Sequence, residues 1–163
     1  RNYFELIQLA SNDIVVLVDQ DDIWQKGKLK FLRSNPGYDL YIHDAKVVGY
    51  GGKVISISYQ NLIGGFTKNR WLNFYKNRYL GCCMAFSKNS CLDKLPREIQ
   101  DYYYHDQVIG LLLSGGKVCY DSRKLINYRR HGNTVTTASG KRGTSLWRVF
   151  KYRLRIVKFV LKV

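Results

Sequence analysis

The chain has 163 residues, of which 45% are hydrophobic and 24% are charged, a composition that is typical of a folded globular protein and unlike that of a disordered chain. This length suits one domain of ordinary size with its own hydrophobic core, and it excludes two such domains. The 27 Lys and Arg residues against 12 Asp and Glu give a formal net charge of +15, which favours an anionic partner: nucleic acid, an anionic membrane surface or a phosphate-bearing substrate.

The sequence indicates neither a membrane-spanning helix nor a structural zinc site. No apolar run in the sequence approaches the ~18 residues that a helix needs to cross a bilayer. The four cysteines, Cys82, Cys83, Cys91 and Cys119, include no Cys-x-x-Cys pair. A structural zinc site is therefore not indicated, and reduced thiols are the simpler interpretation.

The predicted elements alternate between helices and strands. In chain order they are a helix at 4–10, a strand at 14–18, a helix at 25–33, strands at 38–43 and 54–59, a helix at 69–77, a strand at 82–87, a helix at 102–114, and strands at 117–120 and 125–129. The unbroken apolar run at 14–18 predicts a central strand that is covered on both faces. The alternation as a whole predicts an α/β domain with a mostly parallel sheet flanked by helices.

The last segment of the chain differs in composition from the rest. Residues 141–163 contain eight Lys and Arg residues and no Asp or Glu, and their apolar residues recur with helical spacing. We therefore predict a domain at residues 1–140 that is followed by a basic amphipathic helix at residues 141–163. Two interpretations of this helix stay open: it lies on an anionic membrane, or it packs its apolar face on its own domain.

Three carboxylates follow the strand predicted at 14–18. Asp19, Asp21 and Asp22 come directly after it and shortly before Trp24. In open α/β sheets, ligands bind outside the carboxyl ends of the strands, and carboxylates at such a place can bind Mg²⁺ or Mn²⁺. Asp is also a common turn residue, so a solvated turn is the alternative, but the position after a buried strand favours a metal site.

These residues belong to a recognisable series of motifs. The segment Asp-Gln-Asp-Asp-Ile-Trp at 19–24 resembles the D-x-D segment of family 2 glycosyltransferases, especially the rhamnosyltransferase-like and polysaccharide-forming members. Further blocks are similar to blocks of that family and occur in the same order: Gly-Cys-Cys-Met-Ala-Phe at 81–86, His-Asp at 105–106, Gly-Lys-Val at 116–118 and Tyr-Arg-Arg-His-Gly-Asn at 128–133. Each block is weak alone, but their order makes the resemblance specific over residues 2–133.

The resemblance implies a GT-A fold and a metal-dependent transfer of a sugar, with inversion, in the synthesis of cell-surface polysaccharide. The donor would be a nucleotide-diphosphate sugar, and the acceptor would be a hydroxyl of a glycan or of a lipid-linked molecule. A divalent cation, Mg²⁺ or Mn²⁺, would neutralise the diphosphate leaving group. By resemblance, Asp21 is the direct metal ligand, Asp22 supports it, and Asp19 contacts the nucleotide ribose or a metal-bound water.

The later blocks imply further site residues, each with a structural alternative. Asp106 matches the position of the family's catalytic base, although a carboxylate in the first turn of a helix is also a common cap. His131 would approach the metal or the diphosphate, or would be a hydrogen-bonding surface group. Arg129 and Arg130 would pair with donor phosphates, or would only flank the sheet.

The sequence departs from the family at its beginning. The opening strands, which hold the nucleotide base in the family, have no counterpart before residue 4. We therefore expect an N-terminally truncated domain that has an uncovered strand edge and that is inactive, or binds nucleotide weakly, when alone. The resemblance places the protein in the cytoplasm, peripheral to the inner face of the membrane if residues 141–163 bind lipid.

Two other functions remain as alternatives. One is a non-catalytic module that binds a membrane or nucleic acid through its basic surface. Nucleic acid is not expected, however, because no helix-turn-helix or stacking-platform motif is present. The other is a metal-dependent phosphoryl transferase, because clustered aspartates also serve that chemistry.

Overall fold

The computed structural model describes residues 2–95 and 104–130, together with positions 154 and 157. The described chain is a mixed α/β fold in which six strands form one sheet. The strands are β1 (Ile14–Val16), β2 (Ile23–Trp24), β3 (Leu40–Val48), β4 (Val54–Ser56), β5 (Met84–Ser87) and β6 (Val118–Arg129). The helices are α1 (Asn2–Leu9), α2 (Lys28–Arg33), α3 (Tyr59–Ile63), α4 (Arg70–Tyr75), α5 (Lys88–Lys94) and α6 (His105–Leu113), with short 3-10 turns at Tyr50–Gly52 and Gly81–Cys83.

The sheet has the strand order β1-β5-β3-β6-β2, and β4 pairs with β3 beside this path. Its centre is the long parallel pair of β3 and β6, which runs from Leu40 beside Val118 to Val48 beside Arg129. The other four pairings among the described strands are antiparallel. The sheet is therefore mixed rather than mostly parallel. A continuous apolar run is typical of strands in parallel sheets, but the direction of each neighbouring strand is decided by tertiary pairing.

The strand that precedes the three aspartates lies at an edge of the sheet. Within the described residues β1 pairs with β5 alone, whereas the sequence predicted a central strand. Ile14 at its start and Val18 just after it are 36% and 50% exposed. One edge of β1 is thus unpaired in the described chain, and the apolar run reflects packing against the interior on part of its surface only.

The main hydrophobic core lies between α6 and the β3–β5 part of the sheet. Ile109 and Leu112 of α6 are buried against Leu40 and Phe86 of these strands. Residues 108–113 are buried all round, which explains their continuous apolar sequence. This packing fixes α6, and hence the orientation of its first turn, relative to the sheet.

Several predicted elements have different bounds in the structure. β6 is one strand where the sequence predicted two, because the polar residues between them stay paired with β3 across a register shift at Asp44. Residues 59–63 are helical, since the Ser58 side chain caps α3 by accepting from Asn61 N. α5 had no sequence prediction. No helix in the described part of the chain is long and apolar enough to cross a membrane.

The predicted C-terminal helix falls largely outside the described residues. Of residues 141–163, the structure describes Leu154 and Val157, and both are in helical conformation. The division into residues 1–140 and 141–163 therefore stays a prediction.

Candidate functional site

The three aspartates lie on a turn that crosses one end of the sheet. The turn begins where Leu17 N donates to Met84 O at 3.1 Å, beside β5, and it closes with Asp22 N donating to Asp19 O at 3.3 Å. The next residues form β2, which pairs with β6. Because β1 and β2 lie at opposite ends of the strand order, residues 17–22 carry the carboxylates over the sheet between them.

Two of these carboxylates form a compact group with a cysteine. Asp19, Asp22 and Cys82 each place one oxygen or sulfur atom within 4.8 Å of the others, and Cys82 is fully buried in the 3-10 turn before β5. Asp22 Oδ1 accepts from Arg129 N at 2.9 Å. Asp22 Oδ2 is buried and has no hydrogen-bond donor of standard geometry within the described chain. The group can therefore contribute ligands to a divalent cation.

The donor set bears on which cation would fit. Mg²⁺ takes oxygen ligands in nearly ideal octahedral geometry, whereas a thiolate suits softer ions. A site that uses the Asp22 and Asp19 oxygens together with Cys82 sulfur therefore fits Zn²⁺ better than Mg²⁺ or Mn²⁺. Contact with Cys83, burial and the charge of Asp22 raise the pKa of Cys82, so a cation would have to displace the thiol proton in order to bind the sulfur. If Cys82 does not ligate, the two carboxylates still suit Mg²⁺ or Mn²⁺.

Burial and mutual repulsion raise the pKa values of Asp19 and Asp22 above the ordinary value of an aspartate. Burial raises the pKa of Asp19, and the charges of Asp22 and Asp21 raise it further. Burial also raises the pKa of Asp22, against which the hydrogen bond from Arg129 N acts. Because like charges and desolvation both disfavour the ionised form, a bound cation would remove an existing electrostatic cost.

Lys28 supplies a buried positive charge behind the turn. Its side chain is 2% exposed, and Nζ donates to Cys82 O at 2.7 Å and lies 4.4 Å from the centroid of the Trp24 ring. Burial lowers the pKa of Lys28, whereas nearby Cys83, Cys82, Asp22 and Asp19 act in the opposite direction. Trp24, 36% exposed, thus covers Lys28, and Lys28 ties α2 to the 3-10 turn.

Asp106 lies in the first turn of α6 and is almost wholly buried. Oδ1 accepts from Gln107 N at 2.8 Å, and Oδ2 accepts from Asn77 Nδ2 at 3.2 Å. Burial raises the pKa of Asp106 to about 6; the two hydrogen bonds oppose this effect and the charge of Asp19 adds to it. The bond to Gln107 N satisfies a first-turn amide, as the capping alternative requires. The raised pKa is a property that a general base also requires.

Tyr3 links the aspartate turn to the start of α6, and we call the pocket beside Tyr3, together with the adjoining first turn of α6, the cleft. Tyr3 of α1 stacks on His105, with 3.6 Å between ring centroids, and Tyr3 also lines a pocket of about 330 Å³ with Asp19 and Asp21. A β carbon built on Gly81 would lie 3.4 Å from His105 Nε2 and 3.7 Å from Asp106 Cβ. The 3-10 turn that carries Cys82 therefore contacts the turn that carries Asp106.

Some of the site residues predicted from the sequence lie together in the structure, and others lie apart. Asp19 and Asp22 belong to the group with Cys82, and Asp21 lines the pocket. Arg129 reaches Asp22 through its backbone, and its side chain is exposed at the end of β6. Arg130 N donates to Val48 O at 2.8 Å. His131 lies outside the described residues.

Four residues that contact the predicted site residues were not predicted as site residues themselves: Tyr3, Lys28, Asn77 and Cys82. Cys82 lies inside a motif block, so its position carried a usable signal. Asn77 carried none, because its contact with Asp106 is made by tertiary packing. The evidence on function therefore consists of the motif blocks and this geometry: the chain matches no protein-family model and no curated protein.

Proposed function

We propose that this chain carries the metal and base side of an inverting, metal-dependent glycosyltransferase with a GT-A-like fold. The donor is a nucleotide-diphosphate sugar, and the acceptor is a hydroxyl of a glycan or lipid-linked molecule. The observation that best supports this proposal is that Tyr3 lines a pocket with Asp19 and Asp21 and also stacks on His105, the neighbour of Asp106 in the first turn of α6. Sugar transfer needs these two functions, charge neutralisation and proton removal, side by side.

The proposed reaction assigns a separate task to each side of the cleft. The acceptor oxygen forms a bond to the anomeric carbon as the bond from that carbon to the diphosphate oxygen breaks, and the electron pair leaves with the diphosphate. The hydroxyl proton passes to the Asp106 carboxylate. With a pKa of about 6, Asp106 is mostly ionised at neutral pH and is more basic than an ordinary aspartate.

The residues on the opposite side hold the leaving group. Asp19, Asp21 and Asp22 would hold the divalent cation, which when bound neutralises negative charge that develops on the diphosphate. The exposed side chain of Arg129, next to Asp22, can pair with a donor phosphate. Burial lowers the pKa of His105 to about 4, so the imidazole is neutral at pH 7 and serves as a wall of the cleft together with Tyr3.

The proposal is tested in the protein at its full encoded length. Thermal stabilisation by a panel of nucleotide-diphosphate sugars, with and without Mn²⁺, should identify a donor that stabilises only when the metal is present. Asp21→Asn should abolish this stabilisation. Asp106→Asn should preserve it while slowing sugar transfer about 100-fold or more. Asp93→Asn, an exposed aspartate on α5, is the matched control and should change neither quantity.

The same variants separate the alternatives. If Asp21→Asn and Asp106→Asn both transfer sugar at the wild-type rate, the site assignment is wrong. If no nucleotide sugar stabilises the protein but a phosphate ester is turned over with Mn²⁺, the protein is a phosphoryl transferase. If the protein turns over neither a nucleotide sugar nor a phosphate ester, the alternative of a non-catalytic binding module is favoured.

A further inference from the structure

Helix α4 exposes a compact apolar face. Trp71, Leu72 and Tyr75 are 59%, 49% and 71% exposed, and their spacing places them on one side of the helix. Phe74 instead packs against the main core. Large apolar side chains that stay together in water usually mark an interaction surface.

Hydrogen bonds hold this face outward. The Asn69 side chain caps α4 by accepting from Trp71 N at 2.9 Å and Leu72 N at 3.1 Å. On the inner side, Asn73 Nδ2 donates to Tyr79 Oη at 2.9 Å, and Gln107 Nε2 donates to Asn73 O at 3.2 Å. Because the polar inner side is bonded to α6 and its neighbourhood, the helix cannot rotate to bury its apolar face without losing these bonds.

The rim of the face carries charge of one sign. Residues 67–78 contain four Lys and Arg residues and no Asp or Glu, and Lys68 and Lys76 are exposed at the two ends of the helix. Trp and Tyr favour the interface between water and lipid, and lysines near a bilayer are attracted to anionic headgroups. A positive rim around an aromatic and aliphatic centre therefore complements an anionic bilayer.

We propose that the outer face of α4, formed by Trp71, Leu72 and Tyr75 and rimmed by Lys68 and Lys76, docks on an anionic lipid bilayer. This contact is made by described residues and is separate from any contact of the segment at 141–163.

Docking by this face would place the bilayer next to the segment that leads from α4 to Asn77. α4 ends at Tyr75, and two residues later the Asn77 side chain contacts Asp106. An acceptor carried by a lipid would then be presented on the side of Asp106 from which α4 approaches. This last step rests on the proposed function, whereas the docking itself does not.

The chain offers a direct probe of this contact because it has three tryptophans. In a Trp24→Phe/Trp147→Phe background, Trp71 is the remaining tryptophan. Its fluorescence should shift to the blue and be quenched by brominated lipid in vesicles that contain phosphatidylglycerol, but not in vesicles of phosphatidylcholine alone. If the protein floats with anionic vesicles while Trp71 stays unshifted and unquenched, another surface binds the membrane and the proposal is overturned.

Two sets of variants test the chemistry of the contact. Lys68→Glu/Lys76→Glu should weaken partitioning into anionic vesicles by about fivefold or more per lysine, whereas the control Lys26→Glu/Lys53→Glu, which changes exposed lysines elsewhere, should retain more of the affinity. Trp71→Ser/Leu72→Ser/Tyr75→Ser should weaken it at least about tenfold, relative to Tyr50→Ser/Ile57→Ser at two other exposed sites.

Other outcomes would also overturn the proposal. If both charge variants lose affinity equally, binding follows net charge rather than this face. If the serine variant keeps its vesicle affinity but abolishes a concentration-dependent dimer in sedimentation velocity, the face is an interface between copies of the chain. Thermal melts of every variant show whether it is folded. The vesicles contain no sugar acceptor, so a failure of the proposed transfer reaction leaves these readouts unaffected.

Discussion

Asn77 Nδ2 donates a hydrogen bond of 3.2 Å to Asp106 Oδ2, from a carboxamide whose own oxygen accepts from Tyr79 N at 3.0 Å. The second bond fixes the orientation of the amide, so that its NH₂ group is directed at the carboxylate. A donor directed at a carboxylate stabilises the ionised form. Asn77 therefore moderates the rise in the Asp106 pKa that burial causes.

Replacing Asn77 with Ala should shift the pH dependence of the proposed reaction. Without the donor, the pKa of Asp106 rises further, and the acidic limb of the pH–rate profile moves to higher pH by roughly one pH unit. The ¹³C chemical shift of the Asp106 carboxyl carbon should titrate in parallel, which can be measured without substrate. Asn89→Ala, at an exposed position on α5, should leave both curves in place. An unchanged titration in Asn77→Ala would contradict this role.

Asp106 should also make the protein less stable as the pH rises. Its folded pKa is about 6, above the ordinary value of 3.8, so between these values the native state keeps a proton that the unfolded state has released. Stability therefore falls as the pH rises through this window, and the cost is complete above the folded pKa.

Asp106→Asn removes this cost but replaces one acceptor oxygen with an NH₂ group, so that the side chain can no longer accept from both Gln107 N and Asn77 Nδ2. Relative to wild type, the free energy of unfolding of Asp106→Asn should therefore be more favourable at about pH 7.5 than below about pH 4, by about 2 to 3 kcal/mol in urea denaturation. A difference between the two proteins that is equal at both pH values would show that packing and hydrogen bonding, rather than ionisation, separate them.

The sequence predicted the local positions of the candidate site residues better than how these positions are brought together. The position of Asp19, Asp21 and Asp22 after a strand and that of Asp106 at the start of a helix could be predicted because apolar periodicity and motif order are local signals. The pairing of β1 with β5 brings Cys82 close to Asp22. The sequence of either strand alone does not specify this pairing, because it depends on the packing of the whole sheet.

Some residues occupy positions that their residue type seldom occupies. A lysine is seldom fully buried, and Lys28 is buried because the Trp24 ring and the Cys82 carbonyl surround its ammonium group. The polar residues Asp121 and Lys124 lie inside β6 because β3 holds them in register. In α5, by contrast, the Ser87 side chain accepts from Ser90 N, and a serine at the N-cap is a local signal that a sequence can show.

Metal binding should weaken in acid, and a cobalt spectrum can show whether Cys82 is a ligand. Because the pKa values of Asp19 and Asp22 are raised, protons compete with the cation more strongly than at ordinary aspartates, and the affinity for Mn²⁺ in calorimetric titrations should fall as the pH is lowered. Asp22→Asn should reduce this affinity by at least roughly tenfold. With Co²⁺, a thiolate ligand would give a sulfur-to-metal charge-transfer band.

Cys82→Ser should remove that band, whereas Cys91→Ser, which changes a buried cysteine in the main core, should retain it. If wild-type protein binds Co²⁺ without the band, the cation is held by oxygen ligands alone. The preference for Zn²⁺ that a cysteine ligand implies would then be wrong.

Gly110 should be essential for the position of α6. A β carbon at Gly110 would overlap with the ring of Tyr79, which is itself buried and hydrogen-bonded to Asn73. Gly110→Ala should therefore lower the free energy of unfolding by about 1 to 3 kcal/mol, as overpacking of a core does, even though Ala favours a helix more than Gly does. Gly115→Ala is the matched control, because its β carbon would approach no atom more closely than Arg70 Nη1 at 4.0 Å. Urea denaturation of both variants decides the matter: equal stability would show that Tyr79 can move aside, and that the contact does not fix the helix that carries Asp106.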